Sequence, residues 1–260
     1  MFSIAHLNSL RRAEIDRIAP FFTPGARILE IGAGTGEQAA ELKRRGFDII
    51  AIEIPDSNYA AHRVFPILDY DGRSIPLPDR SVDIVFSSNV LEHVPDLARM
   101  NAEIARVLKP GGYCIHVLPT HAWRFWTLLS GIPDALVCIV TSAPDLVPRS
   151  LPSKTELQRL AAAWRRCIRY VGGRLIPRRH GERGNAVSEL WLFRPGWWRD
   201  CFRQDGFAVV RDEPMGLFYT GNMLAGPHLS IAQRRRMAGV FGSACHLFKL
   251  SKTPDLQGTG

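Results

Sequence analysis

Ile28-Leu29-Glu30-Ile31-Gly32-Ala33-Gly34-Thr35-Gly36 carries an apolar run straight into a turn with three alternate glycines. Ala26 to Ile31 reads as a short buried strand. Glu37 to Arg45 places Ala39, Ala40 and Leu42 at helical spacing and is stopped by Gly46. Between strand and helix, glycine lets the backbone turn sharply and approach a ligand with no Cβ in the way. The helix that follows offers unpaired N–H groups at the same place, which suits a nucleotide. The next strand, Asp48 to Ile52, ends in Glu53, a carboxylate placed to accept both hydroxyls of an adenosine ribose. A dinucleotide fingerprint would need glycine at Glu37, and a carboxylate there meets a pyrophosphate badly. A cofactor without phosphates fits better.

These residues resemble the first motif of the class I S-adenosylmethionine-dependent methyltransferases, in which an acidic residue precedes G-x-G-x-G. The stretch Asp69 to Val94 resembles the third and fourth strand regions of the small-molecule and lipid-modifying, type 11-like branch, and Leu108-Lys109-Pro110-Gly111-Gly112-Tyr113 resembles its turn into strand five. The resemblance covers residues 25 to 120 well and 195 to 222 loosely. It implies that Glu30, Gly32, Gly34 and Gly36 surround the methionine and ribose of S-adenosyl-L-methionine. It also implies that Glu53 holds the ribose hydroxyls, Ile54 packs on the adenine, Asp71 accepts from the adenine amino group and Gly72 donates from its backbone. Asp69 competes with Asp71 because the register of this loop is ambiguous by two residues; the anchor from Pro76 to Asp79 favours Asp71. Ser88 and Asn89 close the site and His93 faces the acceptor, although Glu92 and His93 also open a following helix, where polar residues commonly cap.

At 260 residues and 46% hydrophobic, the chain can bury one α/β core and still carry an extra module. The expected fold is a Rossmann-like, doubly wound sheet, mostly parallel with a closing antiparallel strand, plus a mainly helical insert. Residues 1–120 form the cofactor-binding core, 121–194 a basic and apolar lid between strands five and six, 195–225 the closing strands, and 226–260 a C-terminal helix and tail. Gly206 to Arg211 and Gly216 to Thr220 read as the closing pair. The five cysteines, at 114, 138, 167, 201 and 245, have no short zinc or redox spacing, and no metal site is expected. With no apolar leader in Met1 to Arg12, a cytoplasmic protein is expected, with peripheral attachment to a membrane as an option.

Charge separates along the chain. Residues 1–120 carry 13 basic and 15 acidic side chains, whereas residues 121–200 carry 13 and 6, so the insert holds nearly all of the net +8. Its first part, His121 to Val140, is apolar and reads as broken at Gly131 and Pro133, too interrupted to span a bilayer. Its second part runs through Arg159, Arg165, Arg166, Arg169, Arg174, Arg178, Arg179 and Arg183, with Trp164 and Tyr170 among them. Basic and apolar stretches side by side suit an anionic membrane surface; nucleic acid is disfavoured because it has no use for the apolar half. A lid packed on the core with a solvated arginine face is the plainer alternative.

The expected reaction is methyl transfer to a small or lipid-linked acceptor, with His93 as the first candidate base and His121 and His180 behind it. The alternatives are a cofactor-binding assembly or regulatory protein that does not turn over, and a methyltransferase acting on RNA or protein. A nicotinamide oxidoreductase is disfavoured by Glu37.

Overall fold

A computed structural model describes residues 4–148, 153–175, 178–222 and 226–253. Seven strands form one sheet in the order β3-β2-β1-β4-β5-β7-β6. They are β1 (Arg27–Ile31), β2 (Asp48–Glu53), β3 (Leu68–Asp69), β4 (Val82–Ser88), β5 (Leu108–Pro119), β6 (Phe207–Pro214) and β7 (Cys245–Lys252). The first five pair in parallel; β7 runs antiparallel between β5 and β6. The sheet alternates as a two-sided parallel sheet must. Ile28, Ile84, Phe86, Ile115 and Val117 meet α1 (Ile4–Ile18) and α2 (Glu37–Arg44) on one face. Leu29, Ile31, Val85 and Cys114 meet α3 (Leu97–Val107) on the other, with Trp198 and Phe202 of a later helix. Strand order reverses between β1 and β4, and at such a switch point the carboxyl ends of the strands leave a crevice.

The insert consists of α4 (His121–Leu146), α5 (Lys154–Leu175) and the short α6 (Glu189–Leu192). The expected break at Gly131 and Pro133 does not occur: α4 is one helix of 26 residues with Pro133 and Pro144 inside it. Gly131 serves packing instead, since a Cβ there would stand 2.7 Å from the carbonyl oxygen of Arg174 on α5. By length and composition α4 is also sufficient to cross a membrane, which corrects the expectation from sequence. Trp164 Nε1 donates to the Leu146 carbonyl at 3.1 Å and Arg174 Nε to Asp134 at 2.6 Å, so α4 and α5 form an antiparallel hairpin. Leu146, Ala163 and Cys167 make its own small core.

The root of α4 is tied to the segment entering β7 by a hydrogen bond and to the rest of the insert by a buried ion pair. Thr120 caps α4 and donates its hydroxyl to the Ser243 carbonyl. One turn on, Arg124 Nε lies 2.8 Å from Glu189 Oε2, both side chains at most 5% exposed. Glu189 Oε1 accepts in turn from the backbone N–H groups of His180 and Gly181.

Chain closure departs from the expectation in one respect. After α7 (Pro195–Gln204) and β6, Gly216 to Thr220 is not a strand; the second closing strand is β7, after α8 (Ile231–Phe241). Met215, Leu217 and Tyr219 do alternate inward like a strand, but their backbone makes only isolated bonds, such as Ala244 N–H to Leu217 O at 2.7 Å, and Gly216 has φ 70°. Cys245, Leu247 and Leu250 are buried while His246, Lys249 and Ser251 are only half-buried, and this stretch wins the seven-rung ladder with β5. The predicted C-terminal segment is therefore a helix plus a core strand; residues 254–260 lie outside those described.

Replacing Glu189 by Ala leaves Arg124 buried without a counter-charge and is expected to cost about 3–5 kcal/mol of stability. Chemical denaturation of the two proteins checks this; a loss below about 1 kcal/mol would mean that water or carbonyls satisfy Arg124 unaided.

Candidate active site

A cavity of about 840 Å³ opens at the carboxyl ends of β1, β2 and β4. It falls in the size range of small-molecule sites. Of the residues expected from sequence, Gly32, Gly34, Glu53, Ile54, Asp71, Gly72, Ser88, Asn89 and His93 line it. Gly32 has φ 71°, and a Cβ there would lie 2.4 Å from Val90, so the β1 and β4 loops close on each other only because the side chain is absent. Gly36 (φ 81°) is the N-cap of α2 and does not face the cavity; a Cβ would strike Phe65. Its part is to start the helix.

Glu53 is the most ordered of the binding groups. Its Oε2 accepts from Gly34 N–H at 2.7 Å and its Oε1 from Ile54 N–H at 2.8 Å, which holds both oxygens at the cavity wall. Asp71 lines the cavity beside Gly72, its Oδ1 accepting from Arg73 and Ser74 N–H, which holds its carboxyl below the usual range. Asp69 lies in β3 and pairs with Arg63 at 2.7 Å, so between the two registers the lining contains Asp71.

Glu30 lies beneath the cavity rather than in its lining. It is 1% exposed, its Oε2 has no hydrogen-bond partner, and burial with Glu53 alongside pushes its carboxyl up to about 8. An orphaned carboxyl behind a glycine cradle and a braced Glu53 fit a cofactor that carries a cationic amino acid at one end and a ribose in the middle.

Sequence reading did not find the third wall. Leu7, Asn8 and Arg11 of α1 line the cavity, along with Tyr59 and Tyr70. Arg11 Nη1 donates to Glu14 at 2.6 Å, and the Asn89 amide oxygen, turned toward it, accepts from the same nitrogen at 2.7 Å. Asn89 itself has φ 55°, which asparagine tolerates better than most residues. No motif marks α1; its Leu10, Ile15 and Ile18 at helical spacing were the available signal.

On the acceptor side, Glu92 and His93 do not open a helix. They end a 3-10 turn, Leu91–His93, and α3 starts after Asp96, which caps it. His93 is 42% exposed and lines the cavity, and burial with Arg183 nearby lowers its basicity. His180 reaches the same place from the insert, its ring 4.7 Å from that of His93 and 4.6 Å from Trp123. His121 does not: it is an exposed first residue of α4 and outside the lining. Nor does the site lack potential metal ligands, since Glu92, His93 and His180 converge. They are too far apart in the chain to show a ligand spacing.

Glu30 also makes stability depend on pH. The folded chain keeps this proton up to about 8 against an ordinary 4.5, so its contribution is full below 4.5 and lost as pH rises to about 8. Glu30→Gln is expected to remove that slope, the gap in thermal midpoint widening in the variant's favour from about pH 5 to about pH 9. A constant gap would mean that Glu30 is ionised throughout.

The family described as methyltransferase domain matches residues 29–116. An uncharacterised methyltransferase of Mycobacterium sp. (strain JLS) is 39% identical over 109 residues, 40% of this chain and 43% of that protein. A demethylmenaquinone methyltransferase of Corynebacterium kroppenstedtii is 29% identical over 171 residues, 60% of this chain and 74% of that protein. The chain thus spans less than half the length of the mycobacterial relative. In fold it is similar to an S-adenosylmethionine-dependent methyltransferase of Archaeoglobus fulgidus, with TM-score 0.53, 17% identity and 94% of each chain covered. Another, from Mesorhizobium loti, gives 0.52 and 16% over 92% of this chain and 97% of that one. With the glycine cradle at β1 and the braced Glu53, residues 29–116 match a methyltransferase domain, on a fold similar to that of S-adenosylmethionine-dependent methyltransferases.

Proposed function

We propose that the chain transfers a methyl group from S-adenosylmethionine to a small, lipid-linked acceptor, working as a cytosolic protein docked on an anionic membrane. When bound, the cofactor supplies an electrophilic methyl on a sulfonium. Glu53 would take the ribose hydroxyls, Ile54 and Tyr59 would cover the adenine side, and Asp71 and Gly72 would meet the adenine edge. The chain's remaining task is to align an acceptor beside Asn89 and His93 and keep water out, and such positioning supplies much of the rate. His93, its basicity lowered by burial, is neutral near pH 7 and able to take a proton from an acceptor hydroxyl.

One observation carries the membrane part: the hairpin leaves an apolar face uncovered. Phe125, Leu129, Ile132, Leu136 and Val140 recur at helical spacing along α4, each at least 45% exposed. On α5, Leu157, Trp164 and Ile168 do the same, 48–63% exposed. In α4 the stripe lies ahead, in the sense of the helix's own rotation, of the face that meets α5 (Gly131, Cys138); in α5 it lies ahead of Ala163 and Cys167 in the same sense. In an antiparallel pair, equal senses send both stripes to one side. Arg165 and Arg169 are exposed next to the α5 stripe. An apolar strip edged with arginine is the form of an interfacial amphipathic segment. Likeness to a demethylmenaquinone methyltransferase supports an acceptor of that class.

Calorimetric titration with S-adenosylhomocysteine tests the cofactor site. Glu53→Ala is expected to weaken binding by about 1–3 kcal/mol, through loss of charge-assisted bonds; unchanged affinity would remove Glu53 from the site. Retained product binding with no methyl transfer to lipid extracts would leave a cofactor-binding assembly protein.

The membrane reading is tested by flotation. The chain should float with vesicles containing phosphatidylserine, and replacing Arg165, Arg166 and Arg169 by Ala should weaken this by about 3 kcal/mol at about 1 kcal/mol per arginine. An intact chain that stays at the bottom of the gradient would end the membrane reading.

A further inference from the structure

We propose that Glu92, His93 and His180 form a binding site for one divalent transition-metal cation at the acceptor end of the cofactor cavity. Three ligand atoms of suitable type already lie within 4.8 Å of one another, one oxygen and two nitrogens. Glu92 Oε1 is 3.8 Å from His93 Nε2 and 3.9 Å from His180 Nε2. Bonds from a zinc-like cation to nitrogen and oxygen of about 2.0–2.2 Å would draw these atoms to about 3–3.5 Å apart, a closure within reach of side-chain rotation.

Glu92 points independently to a missing partner. It is 1% exposed, and neither carboxylate oxygen meets a hydrogen-bond donor among the described residues. A buried carboxyl left in that state is costly, and a cation would satisfy both its charge and its lone pairs. The backbone around it, by contrast, is tied down. Glu182 N–H donates to the Glu92 carbonyl at 2.8 Å, and a Cβ on Gly181 would stand 2.7 Å from that oxygen. Arg183 donates to the carbonyls of Leu91 and Val94. With Glu189 holding the N–H groups of His180 and Gly181, both ends of the triad are placed before any ligand arrives.

Nearby guanidinium groups weigh against a cation, Arg11 and Arg183 through their charge on Glu92, but the N–H groups of each donate elsewhere. Arg11 pairs with Glu14, Arg124 with Glu189, and Arg183 with the two carbonyls. Two histidines and one carboxylate on one side of a cation leave positions open toward the cavity, and imidazole donors select Zn, Fe, Co or Ni over Mg or Ca. His93 lines that cavity, so an acceptor hydroxyl could take an open position. The cation would lower its pKa; the O–H bond breaks, the proton leaves to solvent, and the oxygen remains on the cation as the nucleophile. This role deepens the methyl-transfer reading and rests on it, with His93 as a ligand in place of a base. Cation binding itself does not.

The test uses the full chain, untagged and stripped with chelator. Co2+ is added while visible absorption is followed, Zn2+ is titrated by calorimetry, and S-adenosylhomocysteine is titrated in parallel. The expected result is a cobalt band that saturates at one equivalent, is displaced by Zn2+, and is weakened about tenfold or more in Glu92→Gln and in His180→Asn. Zn2+ should also raise the thermal midpoint of the parent and not of either variant, with circular dichroism confirming that both fold. If a variant does not fold, the other carries the comparison, since each removes one ligand. No band, or binding at several equivalents that both variants keep, overturns the site. Absent cobalt binding with intact product binding would sink the cation alone; cobalt binding without product binding would sink the cofactor reading alone.

Discussion

The structure depends on a close approach that only glycine permits. At Gly32 the chain leaves β1 with φ 71°, its N–H reaching the Ile52 carbonyl of β2 at 2.9 Å, while Val90 from the β4 loop fills the space of its missing Cβ. Two loops from opposite sides of the sheet reversal are thereby brought into contact. Glu53 Oε2 then braces Gly34, and the cradle becomes a wall with its polar groups fixed. Any larger residue at 32 would push Val90 and the Leu91–His93 turn outward, moving His93 with it.

The same turn is where the insert meets the core. Arg124 and Glu189 form a buried pair at the root of α4, and Glu189 passes the constraint to His180 and Gly181 through two backbone bonds. The loop then lies on Glu92 so closely that Gly181 admits no side chain. The insert is thus coupled to the acceptor side of the cavity by polar groups in a low-dielectric interior, where leaving one unpaired is costly. His116 shows how different a structural histidine looks. It is fully buried, bonded to Ser87, stacked on Phe202 and outside the cavity lining.

Most of the cofactor wall was legible in the sequence because it is local: strand, glycine turn, helix, strand, acid. Glu53 and Gly32 are read from their positions relative to one strand end. Glu30 shows the limit, since spacing put it near the cofactor but only the fold shows it under the wall. The N-terminal wall was not legible, because Arg11 enters through packing of α1 and belongs to no motif. The β7 strand was missed for a related reason: Met215 to Tyr219 alternates as well as Cys245 to Lys252 does, and only the ladder with β5 decides between them. Gly131 and Pro133 misled the reading of α4 because breaker residues were weighed by propensity alone. Tertiary contact with Arg174 gives Gly131 a use inside a helix.

The hairpin and the cavity are joined by a single rigid element. Trp123, in the first turn of α4, packs against His180 at the acceptor side, and two residues later Phe125 begins the exposed apolar stripe that runs to Val140. A helix of 26 residues is about 39 Å long. Its first turn is fixed to the end of β5 through Thr120 and to the loop that carries His180 through Arg124 and Glu189, so an object bound along the stripe has a defined position relative to His93. Were the stripe only a lid's outer face, solvent would have favoured polar residues there, as it has on α5 at Arg159 and Arg166. The exposed stripe and the buried Trp123 that packs on His180 lie on different faces of the same helix, so α4 links the outer surface of the hairpin to the histidine pair through its rigid backbone.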